Sequence, residues 1–215
     1  MKVVGVIAQK GGAGKTTVAV HLAVAAAQKG KGKGRGRAPP LRVLLIDTDE
    51  QGSARKWWNR RSATNVDLAA TRALGQTLKD AEAYDLVVVD TAPRAVAETL
   101  ATIKLCDFVI CPCRTGRLDL DALEDTAKIV KMTTTPAAVV FNAVPTIGKA
   151  KLEEAKAEVA CLGLDIAPVE IAHRVAYTHA LNDGLAVTEF EPYGRASTEM
   201  TTLWRFLEER LCLKS

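Results

Sequence analysis

The sequence predicts an α/β fold: a single doubly wound, mostly parallel β-sheet flanked by helices. Three observations lead to it. Apolar runs of strand length alternate with longer stretches of helical period along the chain. Several of the short runs, such as Val43–Ile46 and Leu86–Val89, are uninterrupted Val, Ile and Leu, the pattern of strands buried on both faces. A glycine-rich turn separates the first strand from the first helix.

Taken in order, the first strand covers Lys2–Ala8 and the first helix covers 15–29, where Val18–Ala27 is apolar apart from His21. Strands at Arg42–Asp47 and Asn65–Ala70 precede helices over 53–61 and 75–82. A strand at Asp85–Asp90 leads to a helix over 94–104, and one at Phe108–Pro112 to a helix over 118–132. Ala138–Asn142 and Ile166–Ile171 precede helices over 149–162 and 173–182, and a last helix spans about 195–212. There is no internal repeat, so residues 1–215 read as one domain. One segment breaks the rhythm. Gly30 to Pro40 is glycine-rich and cationic and cannot be a packed element. It stands where an α/β unit normally uses about 2–6 residues. It reads as a flexible surface insertion, the alternative being an auxiliary arm for a polyanion.

Composition sets the limits. Of 215 residues, 48% are hydrophobic and only 5% aromatic, enough for an aliphatic core and incompatible with a disordered or collagen-like chain. The net charge of +4 is accounted for by Lys31, Lys33, Arg35 and Arg37, so it does not by itself indicate a nucleic-acid face. The N-terminus lacks the features of a secretory signal, and Val18–Ala27 is too short to span a bilayer. Five cysteines are expected to be reduced thiols in a cytoplasmic protein. His21, His173 and His179 show no metal-ligand spacing. Trp57 and Trp58, followed by Arg60 and Arg61, read as core or interface residues, the alternative being a stacking surface for nucleic acid.

The most specific signal is QKGGAGKTT at 9–17, directly after a strand and before a helix. Gly11, Gly12 and Gly14, with Ala13 between, let consecutive backbone N–H groups converge on a phosphate. Lys15 is placed to reach β- and γ-phosphates, Thr16 to ligate Mg²⁺ and Thr17 to contact the α-phosphate. Gln9 stands where the pattern G-x-x-x-x-G-K-S/T has its first glycine, and a second lysine, Lys10, lies inside the loop. Two further apolar strands end in carboxylates, Asp47 in LLIDTDEQGS and Asp90 in VVVDTAP. At the tip of a strand beside a phosphate loop, Asp90 is placed to hold the Mg²⁺ shell, and Asp47, counted with it and Thr16 in the metal site, faces the γ-phosphate edge to orient an attacking water.

These motifs together resemble the deviant-Walker ATPases of the ParA/MinD superfamily, a P-loop NTPase fold. The likeness continues through FNAVP (141–145) and HRVAYTHALNDGLAVTEFEPYGRASTE (173–199), which is most similar to small ParA proteins without an N-terminal DNA-binding domain. The resemblance implies ATP and Mg²⁺ as ligands and an ATP-dependent homodimer in which Lys10 crosses to the partner's phosphates, with a slow intrinsic ATPase. Asn142 matches an asparagine near the adenine. It also implies non-specific binding to nucleoid DNA, for which Arg174, Arg195 and Arg205 are the candidate contacts. A partner protein would stimulate hydrolysis, and the cargo would be a plasmid, a chromosome region or a protein organelle such as the carboxysome.

This chain departs from the family in its insertion, in Ala92 where a second proline is frequent, and in Glu50 where proline is frequent. Two rival readings exist. A MinD-like membrane-associated ATPase would need a basic amphipathic C-terminal helix, but Glu208 and Glu209 offset Arg205 and Arg210, so a packed helix and no stable membrane association are expected. An iron–sulfur carrier of related fold would use C-x-x-C, whereas Cys111 and Cys113 form C-x-C on one face of a strand. Deleting residues 31–37 is expected to weaken DNA binding modestly and leave its ATP dependence intact in a fluorescence-anisotropy titration. Complete loss of binding would place the DNA site on the insertion.

Overall fold

The computed structural model describes residues 1–28, 40–146 and 149–213. The insertion, Pro40 apart, lies outside the described residues, and with it the expectation of a flexible or polyanion-binding arm. The chain begins β1 (Lys2–Val6), α1 (Lys15–Ala27), β2 (Val43–Asp47), α2 (Ser53–Trp58), β3 (Asp67–Ala70) and α3 (Leu74–Asp80). It continues β4 (Leu86–Asp90), α4 (Val96–Ile103), β5 (Phe108–Cys113), α5 (Arg117–Val130), β6 (Ala137–Phe141) and α6 (Lys149–Cys161). It closes with β7 (Asp165–Ile166), α7 (Val175–Asn182), α8 (Val187–Phe190) and α9 (Arg195–Arg210). The strands form one sheet in the order β3-β2-β4-β1-β5-β6-β7. Every described strand pairing is parallel.

Strand alternation divides the core in two. Val4, Val6, Leu45, Val88, Ile110 and Val140 point to the side covered by α1, α2, α7, α8 and α9. Val3, Leu44, Ile46, Val89, Val109 and Val139 point to the other side, among residues of α3, α5 and α6. Both faces are therefore dry, and β2 and β4 are buried at every position. Helix α1 is buried nearly all round because it is pressed between the sheet and α9. The apolar stripe of α9 (Met200, Leu203, Trp204, Leu207) is turned into the core. That is the packed terminal helix expected from sequence, and it leaves the stripe no surface to present to lipid. No helix among the described residues is long and apolar enough to cross a membrane.

Two departures from the sequence expectation have local causes. The seventh strand stops at Ile166 and does not run to Ile171, because Pro168 supplies no N–H to a ladder. The chain stays beside β6 only through isolated bonds, Ala167 N–H to the Val139 carbonyl and Ile171 N–H to the Phe141 carbonyl, both 2.8 Å. The short helix α8 lies in a stretch left unassigned from sequence. It is fixed by tertiary contacts: Glu189 accepts two bonds from the Arg61 guanidinium at 2.7 Å, and Arg61 is itself bonded to Asn65. Arg61 also stacks over Trp57 at 5.0 Å, and its side chain is 1% exposed. Trp57 is core and its indole N–H donates to the Leu185 carbonyl at 3.0 Å, so neither Trp57 nor Arg61 is available for stacking on a nucleic acid. Losing Glu189 would strand a buried cation, which costs about 3–5 kcal/mol.

His21 is fully buried on α1. Its Nδ1 accepts the Val187 N–H at 3.2 Å and its ring meets Tyr177 edge-on at 5.1 Å. Burial pushes its pKa from 6.5 to about 3, so the imidazole is neutral in the fold. Because the unfolded chain takes up that proton first, this stabilisation is complete above pH 6.5 and is lost as pH falls toward 3. Asparagine keeps an acceptor near the Nδ1 position and cannot titrate. His21→Asn is therefore expected to lower stability at pH 7 through the space it opens, and to flatten the fall in stability between pH 6.5 and 4, read by urea unfolding at each pH. A slope equal to that of the parent chain would show that His21 does not carry the acid sensitivity.

Candidate functional site

The site begins with register. Val6 is paired with Asp90, and Asp90 with Asp47, so the ends of β1, β4 and β2 lie side by side at the C-terminal edge of the sheet. From β1 the chain crosses to β2 on one side, while β5 lies on the other. The loop after β1 therefore opens at the point where the winding of the sheet reverses, where ligands of such sheets bind.

Residues 9–14 form that loop. Gly12 and Gly14 have φ of 77° and 97°, a region that side-chain-bearing residues avoid. At Gly14 there is also no room: a Cβ would lie 1.9 Å from Nδ2 of Asn142. Asn142 is buried at the end of β6, where its side-chain amide donates to the Ala13 carbonyl at 2.8 Å. In the ligand-free fold it therefore braces the phosphate loop from below. Gln9, the residue that departs from the glycine pattern, is a second brace. Its backbone N–H reaches Thr126 at 3.3 Å and its side-chain amide reaches Thr99 at 3.0 Å, which fastens the loop to α5 and α4.

The two lysines differ. Lys15 is buried, and its ammonium donates to the Lys10 carbonyl at 3.0 Å. Burial lowers its pKa, while the nearby carboxylates of Asp90 and Asp49 favour the cation. Lys10 is half exposed, with its ammonium 3.0 Å from the carboxylate of Asp119 in the first turn of α5. Thr16 and Thr17 follow at the start of α1, half-buried.

Asp47 and Asp90 are both buried, but their partners differ. The oxygens of Asp47 accept the N–H groups of Asp49 and Arg55, each at 3.0 Å, so this carboxylate shapes the turn between β2 and α2. Neither oxygen of Asp90 has a hydrogen bond of normal length and angle, although the Thr16 hydroxyl lies close enough to favour the charged form. Burial pushes its pKa up to about 7; the nearby Thr16 hydroxyl and Lys15 oppose that rise, while Asp47 and Asp49 add to it. An unpartnered buried carboxylate facing a hydroxyl suits a hydrated divalent cation, so Asp90 and Thr16 fit Mg²⁺. Asp47 can offer a metal-bound or attacking water only the lone pairs left by its backbone bonds.

Sequence reasoning missed the threonines after these aspartates. Thr48 gives both its N–H and its hydroxyl to the Asp90 carbonyl, each at 3.0 Å, and the Thr91 hydroxyl donates to the Val6 carbonyl at 2.8 Å. The repeated Asp-Thr at two strand ends was the available signal, since a hydroxyl there can tie one strand tip to the next. Asp119, which holds Lys10, carried no such signal.

The remaining candidates separate by environment. Arg174 makes two bonds to Glu199, at 2.9 and 2.7 Å, and Glu199 also accepts from Tyr177, so its charge is paired within the chain while its side chain stays a quarter exposed. Arg195 and Arg205 are exposed on α9, with no ion pair to another described residue. Cys111 and Cys113 are buried on the same side of the sheet, with burial pushing both thiols up to about 12. Among the described residues no group of three or more His, Cys, Asp or Glu could hold a metal ion. Both cysteines are packed in the core on that side of the sheet.

Comparison with known proteins gives a consistent result. Residues 4–187 match the family model described as the CobQ/CobB/MinD/ParA nucleotide binding domain. The maintenance of carboxysome distribution protein A of Gloeobacter kilaueensis is 32% identical over 219 residues, covering 95% of this chain and 96% of that protein. Among solved structures, an ATP complex of an Asp-to-Ala variant of Cyanothece McdA superposes with a TM-score of 0.75 at 19% identity, covering 100% of this chain and 98% of that one. The Mg-ADP complex of septum site-determining protein MinD from Pyrococcus horikoshii OT3 gives 0.75 at 14% identity, with coverages of 100% and 98%. At these identities the two structures show a shared fold.

The glycine geometry makes a discriminating pair of substitutions. At Gly11 nothing lies within 4 Å of the position a Cβ would take, and its φ is not positive, whereas Gly14 has neither space nor an accessible φ. Gly14→Ala is expected to destabilise the ligand-free protein by about 2 kcal/mol or more, with Gly11→Ala within about 0.5 kcal/mol of the parent, read as thermal midpoints. Equal midpoints for the two variants would mean that Asn142 does not fill the space behind Gly14.

Proposed function

This chain belongs to the CobQ/CobB/MinD/ParA nucleotide-binding family, and on that premise we propose that it is a ParA-type positioning ATPase that dimerises on ATP. The observation that carries the reading is the buried Asp90 carboxylate, without a regular hydrogen bond, beside Thr16 and Lys15 and paired in register with Asp47. In this reading the N–H groups of Gly11 to Gly14 receive the phosphates, Lys15 neutralises the β- and γ-phosphates, and Thr17 meets the α-phosphate. Thr16 and Asp90 would hold Mg²⁺, which would offset the charge that develops on the phosphates. Asp47 orients the attacking water, its carboxylate already fixed by two backbone N–H groups. Lys10 leaves Asp119 to reach the phosphates of a second copy, supplying a cation in trans.

The cargo favoured is a protein organelle of the carboxysome type. Support comes from the relative named for carboxysome distribution, which matches over nearly the whole of both chains. The ATP dimer binds nucleoid DNA through phosphate contacts with no sequence readout, and Arg195 and Arg205 remain the candidate contacts on α9. An adaptor protein stimulates an otherwise slow hydrolysis, and the protein acts in the cytoplasm on the nucleoid.

DNA binding measured with ATP, with ADP, and with ATP for Lys10→Ala tests the switch. Binding is expected with ATP in the parent chain alone, weakening steeply with salt, and equal binding in all three samples would overturn it. Asp47→Ala is expected to lower turnover about a hundredfold or more, and unchanged turnover would remove Asp47 from the chemistry.

A further inference from the structure

We propose that Arg94 is a positioning residue for hydrolysis, a brace that holds the two aspartate loops in one register by gripping the Thr48 carbonyl. The inference rests on the ATPase reading above. Arg94 lies four residues beyond Asp90, just before α4. One guanidinium nitrogen donates to the Thr48 carbonyl at 2.6 Å and the other to Glu98 at 2.8 Å.

Thr48 is the residue through which the two loops are joined. Its N–H and its hydroxyl both bond the Asp90 carbonyl at 3.0 Å, while its own carbonyl is held by Arg94. The peptide that follows Asp47 is thus tied on one side to the last residue of β4 and on the other to the loop that follows β4. The bonds close a ring through Thr48, Asp90 and Arg94 directly beside Asp47, which limits how far the backbones carrying the two carboxylates can shift against each other. The Arg94 bond is charge-assisted and short, a stronger link than one between two uncharged groups.

The simpler reading is an ordinary Arg–Glu pair at i,i+4 that supports helix α4. Helix electrostatics argue against it. Arg94 stands one residue before Ala95, the N-cap of α4, where a cation faces the positive end of the helix dipole. Glu98 in the first turn is well placed without any arginine. The cation is therefore misplaced for helix support and well placed for the carbonyl 2.6 Å away. Its side chain is 24% exposed, so the link is partly shielded from water.

The consequence for catalysis is geometric. Asp47 has to present its water in a fixed relation to phosphates whose metal is held beside Asp90, and small misplacements of reacting groups cost rate steeply. Nucleotide affinity depends on the phosphate loop, which Arg94 does not touch among its hydrogen bonds.

Three variants are compared with the parent chain: Arg94→Ala, Arg94→Lys and Glu98→Gln. For Arg94→Ala, kcat is expected to fall about tenfold or more with KM for ATP within about twofold. Arg94→Lys, which can still reach one carbonyl, recovers part of the loss, and Glu98→Gln stays at the parent rate. A second readout needs no turnover: amide hydrogen exchange of the ligand-free protein. Exchange at Thr48 and across 47–55 accelerates in Arg94→Ala and is unchanged in Glu98→Gln. Parent-like kcat and exchange in Arg94→Ala would overturn the brace, and so would Glu98→Gln matching Arg94→Ala in both. If the parent chain itself fails to hydrolyse ATP, the ATPase reading falls, and the exchange measurement still decides whether Arg94 joins the loops.

Discussion

A carboxylate buried with no hydrogen-bond partner is among the most costly groups a fold can contain, and Asp90 is one. Its position follows from the sheet. β4 lies between β1 and β2, so its last residue is enclosed by the phosphate loop on one side and the Asp47 turn on the other. The surroundings reduce the cost only in part, through the Lys15 ammonium and the Thr16 hydroxyl, and the rest is expressed as a carboxyl pushed toward neutrality. A cation at this point would be met by a carboxylate that the ligand-free fold leaves without a hydrogen bond. The neighbouring groups are arranged to keep that option open: Lys15 bonds the Lys10 carbonyl and not Asp90, and Asp47 is occupied with its own turn.

The architecture and the glycine loop were legible in the sequence because both depend on local pattern. Unbroken runs such as Leu86–Val89 read as doubly buried strands, and each is buried at every position. Seven strands and the principal helices fall where hydrophobic period places them, apart from the end of β7, where Pro168 cuts the ladder short. What stayed hidden depends on residues far apart in sequence. Gln9 looked like a missing glycine and is an anchor to Thr99 and Thr126, some ninety to 117 positions away. Arg174 looked like a surface cation and is bound to Glu199. Trp57 and Arg61 offered two readings, and the choice between them was made by Glu189 and Leu185 on the other side of the chain. The same limit applies to Thr48, whose hydroxyl has meaning only once β2 and β4 are neighbours.

The two halves of the core treat the loops above them differently. On one side α1, α8 and α9 bury aliphatic residues and include His21 and the Arg61–Glu189 pair, polar groups that fix one arrangement of these helices. On the other side α4 and α5 touch the site through hydrogen bonds from their first turns and their threonines, to Gln9, to Lys10 and, across the loop before α4, to Thr48. One face of the sheet meets the site chiefly through packed helices, and the other through side-chain hydrogen bonds and an ion pair.

Helix α1 carries that difference furthest. It presents Lys15 and Thr16 at its first turn, and nearly all its residues beyond Thr17 are sealed between the sheet and α9. Such a segment opens only when the whole domain opens, whereas exposed loops open by themselves. Any ligand gripped at the start of α1 is therefore linked to global unfolding and not to a local equilibrium. Its binding free energy adds to the stability of the entire domain, by an amount that grows with the logarithm of ligand concentration. A chain that exchanges one nucleotide for another would change its resistance to proteolysis and heat as a single body, and its lifetime as a folded molecule would depend on the ligand it holds.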